Sequence, residues 1–149
     1  MSENNVNFPL IGTPAPEFVA QTTQGEINFP SDFKGKWVIL FSHPADFTPV
    51  CTTEFMTFAS MSEEFKALNT ELVGLSIDSI HSHLAWLQAI RGYTWNGIEN
   101  PVVEFPLIAD LKMEVAKKYE CCRANPIPPL SARSSLSIRR ELSRQFSTT

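Results

Sequence analysis

Apolar positions in this chain switch repeatedly between a period of two and a period near 3.6. Phe18-Val19-Ala20-Gln21-Thr22-Thr23 and Ile27-Asn28-Phe29 flank the turn pair Gln24-Gly25, which predicts a hairpin preceded by the turn-rich Gly12-Thr13-Pro14-Ala15-Pro16. Residues 36–42 form a near-continuous apolar run of strand length, the pattern of a strand buried on both faces. After a loop holding Pro44 and Pro49, Phe55, Phe58, Ala59, Met61, Phe65 and Leu68 recur at mixed threes and fours, which predicts an amphipathic helix starting near Cys51. A second strand is predicted over 71–77, a helix over 79–90 with Ile80, Leu84, Leu87 and Ile90 on one side, a third strand over 102–108 and a helix over 111–119 with Leu111, Val115 and Tyr119 aligned.

Strands alternating with helices imply an α/β sandwich with a largely parallel core. Beyond Glu120 the pattern stops. Cys121-Cys122-Arg123-Ala124-Asn125-Pro126-Ile127-Pro128-Pro129 cannot extend a helix, and only Ile138, Leu142 and Phe146 make a weak helical stripe after it. Charge divides at the same place: residues 1–120 hold seven basic and fifteen acidic side chains, whereas 121–149 hold five arginines, no lysine and one acid. The expected organisation is one α/β domain over 1–120, incomplete at its C-terminal end, followed by an aberrant, disordered tail over 121–149.

Composition narrows function only a little. The net charge of −4 argues against a nucleic-acid partner, and no apolar run is long enough to cross a bilayer. The polar start Met1-Ser2-Glu3-Asn4-Asn5 lacks the order of a signal peptide, so a cytoplasmic address is the default. Three cysteines are too few for a disulfide framework. His81 and His83, two apart at a helix start, face different directions, are expected at the surface and form no metal set with a nearby cysteine.

Chemistry concentrates where the buried strand hands over to the helix, in Phe41-Ser42-His43-Pro44-Ala45-Asp46-Phe47-Thr48-Pro49-Val50-Cys51-Thr52-Thr53-Glu54. A cysteine in a helix's first turn meets free N–H groups and the positive end of the helix dipole, which favour the reactive thiolate. Thr48, three residues upstream, can bring a hydroxyl to that sulfur or to an oxygen bound beside it, and Pro44 and Pro49 stiffen the loop. A lone cysteine at such a position is as often an inert buried residue.

The segment resembles the signature of the peroxiredoxin (thiol-specific antioxidant) family, Pro-x-x-x-Thr-x-x-Cys, matched by Pro44, Thr48 and Cys51, and its wider string is similar to the one-cysteine branch with its archaeal and bacterial relatives. Similarity extends through Ser76-Ile77-Asp78-Ser79, His83-Leu84-Ala85-Trp86 and Phe105-Pro106-Leu107-Ile108-Ala109-Asp110 to Val115-Ala116-Lys117-Lys118-Tyr119. The resemblance implies a thioredoxin-like sandwich with a mixed central sheet and a thiol-dependent peroxidase needing no cofactor or metal. In that chemistry the Cys51 thiolate attacks the distal oxygen of H2O2 or an alkyl hydroperoxide, the O–O bond breaks, the proximal oxygen leaves as water or alcohol, and sulfur becomes a sulfenic acid. Thr48 would hold the peroxide and Pro44 would cover the pocket. Glu54 would orient an arginine, or else be a solvated acid of the first turn; His43 would polarise the pocket or simply pack beneath the loop. The implied partners are a peroxide, an external thiol reductant of the thioredoxin or glutathione type, and further copies of the chain in a homodimer or larger homo-oligomer.

After Tyr119 the family pattern is lost. The family continues with a Gly-rich turn and a strand reading like Val-Arg-Ala-Val-Phe, whose arginine reaches the active site. With codons chosen to suit, Ser131-Ala132-Arg133-Ser134-Ser135 read one base earlier spells that strand, which suggests a frameshift that DNA sequencing would decide. Without the strand, one edge of the sheet is expected to stand open and the chain to fold marginally and turn over slowly. Two rivals remain: a thiol-disulfide oxidoreductase, weakened because Cys51 has no Cys-x-x-Cys partner, and a non-catalytic remnant or interaction protein of the same family. Cys121-Cys122 as a resolving pair matches no known resolving motif.

Overall fold

The computed structural model describes Pro9, residues 12–119 and the backbone of 136–140. Two strands, β1 (Phe18–Thr22) and β2 (Gly25–Phe29), form the predicted hairpin, with Phe18 opposite Phe29 and Thr22 opposite Gly25. The buried run becomes β3 (Trp37–Ser42), followed by α1 (Pro49–Ser60), α2 (Ser62–Ala67), β4 (Thr70–Ser76) and α3 (Ile80–Ile90). A small hairpin of β5 (Thr94–Trp95) and β6 (Ile98–Glu99), outside the expected elements, turns on Asn96-Gly97, both at positive φ, a pair suited to a tight hairpin turn. Then come β7 (Leu107–Ala109), α4 (Glu114–Lys118) and β8 (Leu136–Arg140).

Six strands make one sheet in the order β2-β1-β7-β4-β3-β8. The central trio β7, β4 and β3 is parallel, and β1 and β8 flank it antiparallel. Alternation along the central strands builds two cores. Val38, Leu40, Val73, Leu75 and Ile108 point to a face packed by Phe18, Phe29, Phe33 and the α4 residues Val115 and Ala116. Phe41, Leu72 and Leu107 point to the other, against Phe55 and Met56 of α1 and Trp86 and Ile90 of α3. Both faces are covered, which is why β3 and β4 read as continuous apolar runs.

Three expectations are corrected. The strand predicted over 102–108 shrinks to Leu107–Ala109, because Pro101 and Pro106 supply no N–H to a ladder and Phe105 enters the core from a loop. The helix predicted over 111–119 starts only at Glu114: Met113 is left-handed at φ 57°, and the buried Asp110 carboxylate accepts the amides of Glu114, Val115 and Ala116 at 2.8, 3.2 and 2.7 Å, leaving Leu111 exposed. The open edge expected beside β3 is closed, since Leu136–Arg140 pairs antiparallel along it with Leu136 opposite Phe41 and Arg140 opposite Trp37. Ladder pairing asks only for backbone donors and acceptors, so the change of composition beyond Glu120 does not prevent it. Ile138 lies on that strand, whereas Cys121, Cys122, Leu142 and Phe146 lie outside the described residues.

Gly74 on β4 sets how closely α1 approaches the sheet. A Cβ there would lie 3.3 Å from Leu107 Cγ and 3.5 Å from the ring tips of Phe41 and Phe55. Gly74→Val is expected to overpack this contact and destabilise the chain by about 1–3 kcal/mol, read as a lowered midpoint in urea unfolding, whereas an unchanged midpoint would show that α1 shifts freely.

Candidate functional site

The loop from Ser42 to Thr48 carries the chain from the C-terminal end of β3 into α1, at the end of the sheet where the parallel strands stop. His43 prolongs the ladder, its N–H donating to Leu75 O at 3.0 Å. The side chain is buried and packed between Phe55 and Trp86, with ring centroids 5.1 and 5.0 Å away. Pro44 is exposed. Asp46 is buried, Phe47 projects into solvent from a left-handed backbone at φ 60°, and Thr48 is the residue at which α1 begins.

Cys51 is the third residue of α1 and is buried, with only 6% of its surface exposed. Thr48 does not cap the helix through its side chain; its hydroxyl donates to Ala45 O at 3.0 Å, and its carbonyl accepts the first helical bond from Thr52 N at 3.0 Å. Pro49 at the first position has no N–H, so the amides of Val50 and Cys51 are the donors left facing the end of the helix. An anion or a polarised oxygen beside the sulfur would meet those two amides and the positive end of the dipole. Glu54 lies further along the same helix, half-buried, its side chain without a hydrogen bond to any described residue. Cys51 is the free cysteine among the described residues.

Asp46 organises the surroundings. His43 Nε2 lies 2.8 Å from its Oδ1, and His83 Nδ1 and Ser82 Oγ lie 2.8 Å from its Oδ2. Its own N–H donates to Asp78 Oδ2 at 2.7 Å. Burial opposes ionisation of this carboxyl, but the hydrogen bonds from His43, His83 and Ser82 and the charge of His83 outweigh it, holding the group well below the usual carboxylate range. The other nitrogen of His83 faces Ile108 O at 3.1 Å. A further tie joins the helices: Trp86 Nε1 donates to Thr52 Oγ1 at 3.1 Å.

His83 overturns its surface assignment, being fully buried, while His81 is exposed as expected. The side of α3 that faces inward is His83, Trp86 and Ile90, not the predicted stripe, and Leu84 is exposed. Spacing of three and four from His83 through Trp86 to Ile90 marks the inward face once histidine is counted among its buried positions. His43, Asp46 and His83 bring three potential metal donors within 4.8 Å of one another. Their spacing is that of hydrogen bonds, and both His83 nitrogens face acceptors, so the rings act there as donors.

A sequence model of the AhpC/TSA family matches residues 11–142. The chain is 69% identical to a peroxiredoxin of Methanosarcina mazei over 113 residues, which is 75% of this chain and 52% of that one, and 61% identical to a peroxiredoxin of Aquifex aeolicus over 76% of this chain and 49% of that one. Among solved structures it is similar to a yeast mitochondrial 1-Cys peroxiredoxin (TM-score 0.67, 41% identity, 82% of this chain and 55% of that one). It is also similar to a Cys-to-Ser mutant of peroxiredoxin 6 of Arenicola marina (TM-score 0.66, 33% identity, 73% and 48%). The chain thus spans about half the length of the curated relatives it matches. With the thioredoxin-like sheet, the strand-to-helix cysteine and these likenesses together, the chain belongs to the AhpC/TSA family of peroxiredoxins.

Proposed function

We propose that the chain is a thiol-dependent peroxidase in which Cys51 attacks H2O2 or an alkyl hydroperoxide and is carried to a sulfenic acid. The observation that carries this reading is the position of Cys51, sheltered in a first helical turn whose Val50 and Cys51 amides are uncapped. Those amides can receive the oxygen that gains charge as the O–O bond breaks. Thr48 keeps two acceptor lone pairs while donating to Ala45, so it can accept a hydrogen bond from the peroxide O–H. Pro44 forms the rim of the opening, His43 backs it, and Glu54 supports the outer side of the helix.

Reduction of the sulfenic acid is assigned to an external thiol, which attacks the oxidised sulfur and releases water. The yeast relative resolves its thiol through glutathione and thioredoxin systems, and a donor of that type is the one we assign here. Association into a homodimer or larger homo-oligomer and a cytoplasmic address complete the reading. Among the described residues no helix is long and apolar enough to cross a membrane.

Mass spectrometry after one equivalent of H2O2 is expected to find added oxygen on Cys51, and Cys51→Ser should abolish peroxide consumption supported by dithiothreitol. Persistent consumption by that variant would sink the reading. Thr48→Val should slow the reaction on the order of tenfold or more while Thr48→Ser stays near wild type, the two compared by the peroxide concentration dependence of Cys51 oxidation.

Acid should unfasten the site. The Asp46 carboxyl titrates lower in the folded chain than unfolded, so its contribution is complete above the unfolded value near 4 and is lost as pH falls towards the folded value. Unfolding free energy is expected to decline by on the order of 2 kcal/mol below about pH 4. In Asp46→Asn that part of the decline should be missing, a difference visible in urea titrations at pH 3 and pH 6.

A further inference from the structure

Among the described residues, one buried side-chain nitrogen or oxygen has no hydrogen-bond partner, and it is Nδ1 of His43. An unpaired polar atom in so enclosed a place is costly unless something uses it. The ring cannot turn to relieve it without giving up the 2.8 Å bond from Nε2 to Asp46 Oδ1. Because Asp46 is a carboxylate and only accepts, Nε2 carries a hydrogen; Nδ1 faces no acceptor that would hold a second one, which favours the form with a bare lone pair there. His43 lies beneath the first turns of α1: its ring packs on Phe55, four residues beyond Cys51, and on Trp86, which is bonded to Thr52.

The arrangement is held from outside the loop. His83, on α3, faces acceptors at both nitrogens, Asp46 Oδ2 at 2.8 Å and Ile108 O at 3.1 Å, so neither nitrogen meets a hydrogen that it could accept. Ile108 belongs to β7, which fixes the ring against the sheet. Ser82 adds a third donor to the carboxylate, and Asp78 anchors the Asp46 backbone. The carboxylate is thereby saturated by donors and offers no hydrogen to His43.

We infer that His83 is a positioning residue of the Cys51 site: by donating to Asp46 from a ring fixed on β7, it locks His43 in the tautomer that presents a bare Nδ1 beneath the first turns of α1. The inference deepens the peroxidase reading and rests on it for the reaction, though not for the tautomer. The bare nitrogen is a hydrogen-bond acceptor for a proton-bearing group entering beside the sulfur, a peroxide O–H or the O–H of the sulfenic acid. His83 touches neither; it acts through Asp46 and His43.

The test uses the reduced full chain labelled with 15N. Multiple-bond proton–nitrogen spectra at neutral pH, assigned with His81→Gln, are expected to show hydrogens on both nitrogens of His83 and on Nε2 alone of His43. A hydrogen on His43 Nδ1, or a bare nitrogen on His83, overturns the proposal, and so does a stoichiometric metal in the purified chain, which would make the rings ligands. In stopped-flow oxidation of Cys51 by H2O2, His83→Leu should lower the rate constant on the order of 10- to 100-fold and leave His43 in mixed tautomers. His83→Asn, which places an amide donor near the position of Nδ1, should stay within about tenfold of wild type and keep the single tautomer. A wild-type rate in His83→Leu, or an equal loss in both variants with the His43 tautomer unchanged, would overturn the assignment. If the wild-type chain does not react with peroxide, the peroxidase reading falls and the spectra still decide the positioning.

Discussion

The buried carboxylate of Asp46 is the constraint on which the site depends. It sits on the loop between β3 and α1, yet its donors come from His43 on that loop and from Ser82 and His83 on α3. Removing a charge from water costs several kcal/mol unless its lone pairs are filled, and here three side-chain donors fill them. The loop is therefore tied to α3, and α3 to β7 through His83 and Ile108 O. The first turn of α1, with Cys51, takes its place from a loop that cannot move independently of the sheet. Trp86 adds a second tie, packing on His43 while its indole N–H donates to Thr52.

Gly74 provides the complementary condition on the other side of α1. With no side chain there, Phe55 and Phe41 close on Leu107, their rings 5.5 Å apart, and the helix lies close to the sheet. Close approach of α1 and attachment of its leading loop thus have separate causes. The first is apolar packing around a missing Cβ, the second a polar network around one charge.

What could be read in the sequence follows from these causes. β3 and β4 were legible because burial on both faces writes continuous apolar runs, and α1 because Phe55 and Ala59 repeat on one side. That Pro44, Thr48 and Cys51 share one strand-to-helix junction was legible through local spacing, since the loop and the helix start that follows it are contiguous in sequence. His83 was not, because its burial depends on acceptors contributed by residues 46 and 108, which no periodicity along α3 can encode. For the same reason the role of Asp46 went unread: a lone acid in a loop looks solvated until two distant elements are folded against it. The late start of α4 had a local signal in Asp110, overridden by the apolar alignment of Leu111, Val115 and Tyr119. The pairing of Leu136–Arg140 with β3 had none, since it relies on backbone groups that every residue other than proline carries.

Two local rules are broken in the loop before Cys51, and they are broken within five residues of each other. Phe47 holds a left-handed backbone, a conformation that costs a bulky residue on the order of 1–2 kcal/mol, and His43 keeps a buried nitrogen without a partner, costing on the order of 1–3 kcal/mol. Neither would survive in a loop free to relax. Both persist because the bonds of Asp46 and Thr48 on either side of Phe47 leave the backbone no cheaper path. Strain that is maintained by surrounding structure, at the mouth of a helix whose first amides are uncapped, is what the proposed chemistry at this point would require of the fold. The cysteine at that point is therefore singled out by the energetics of its loop as well as by the family signature around it.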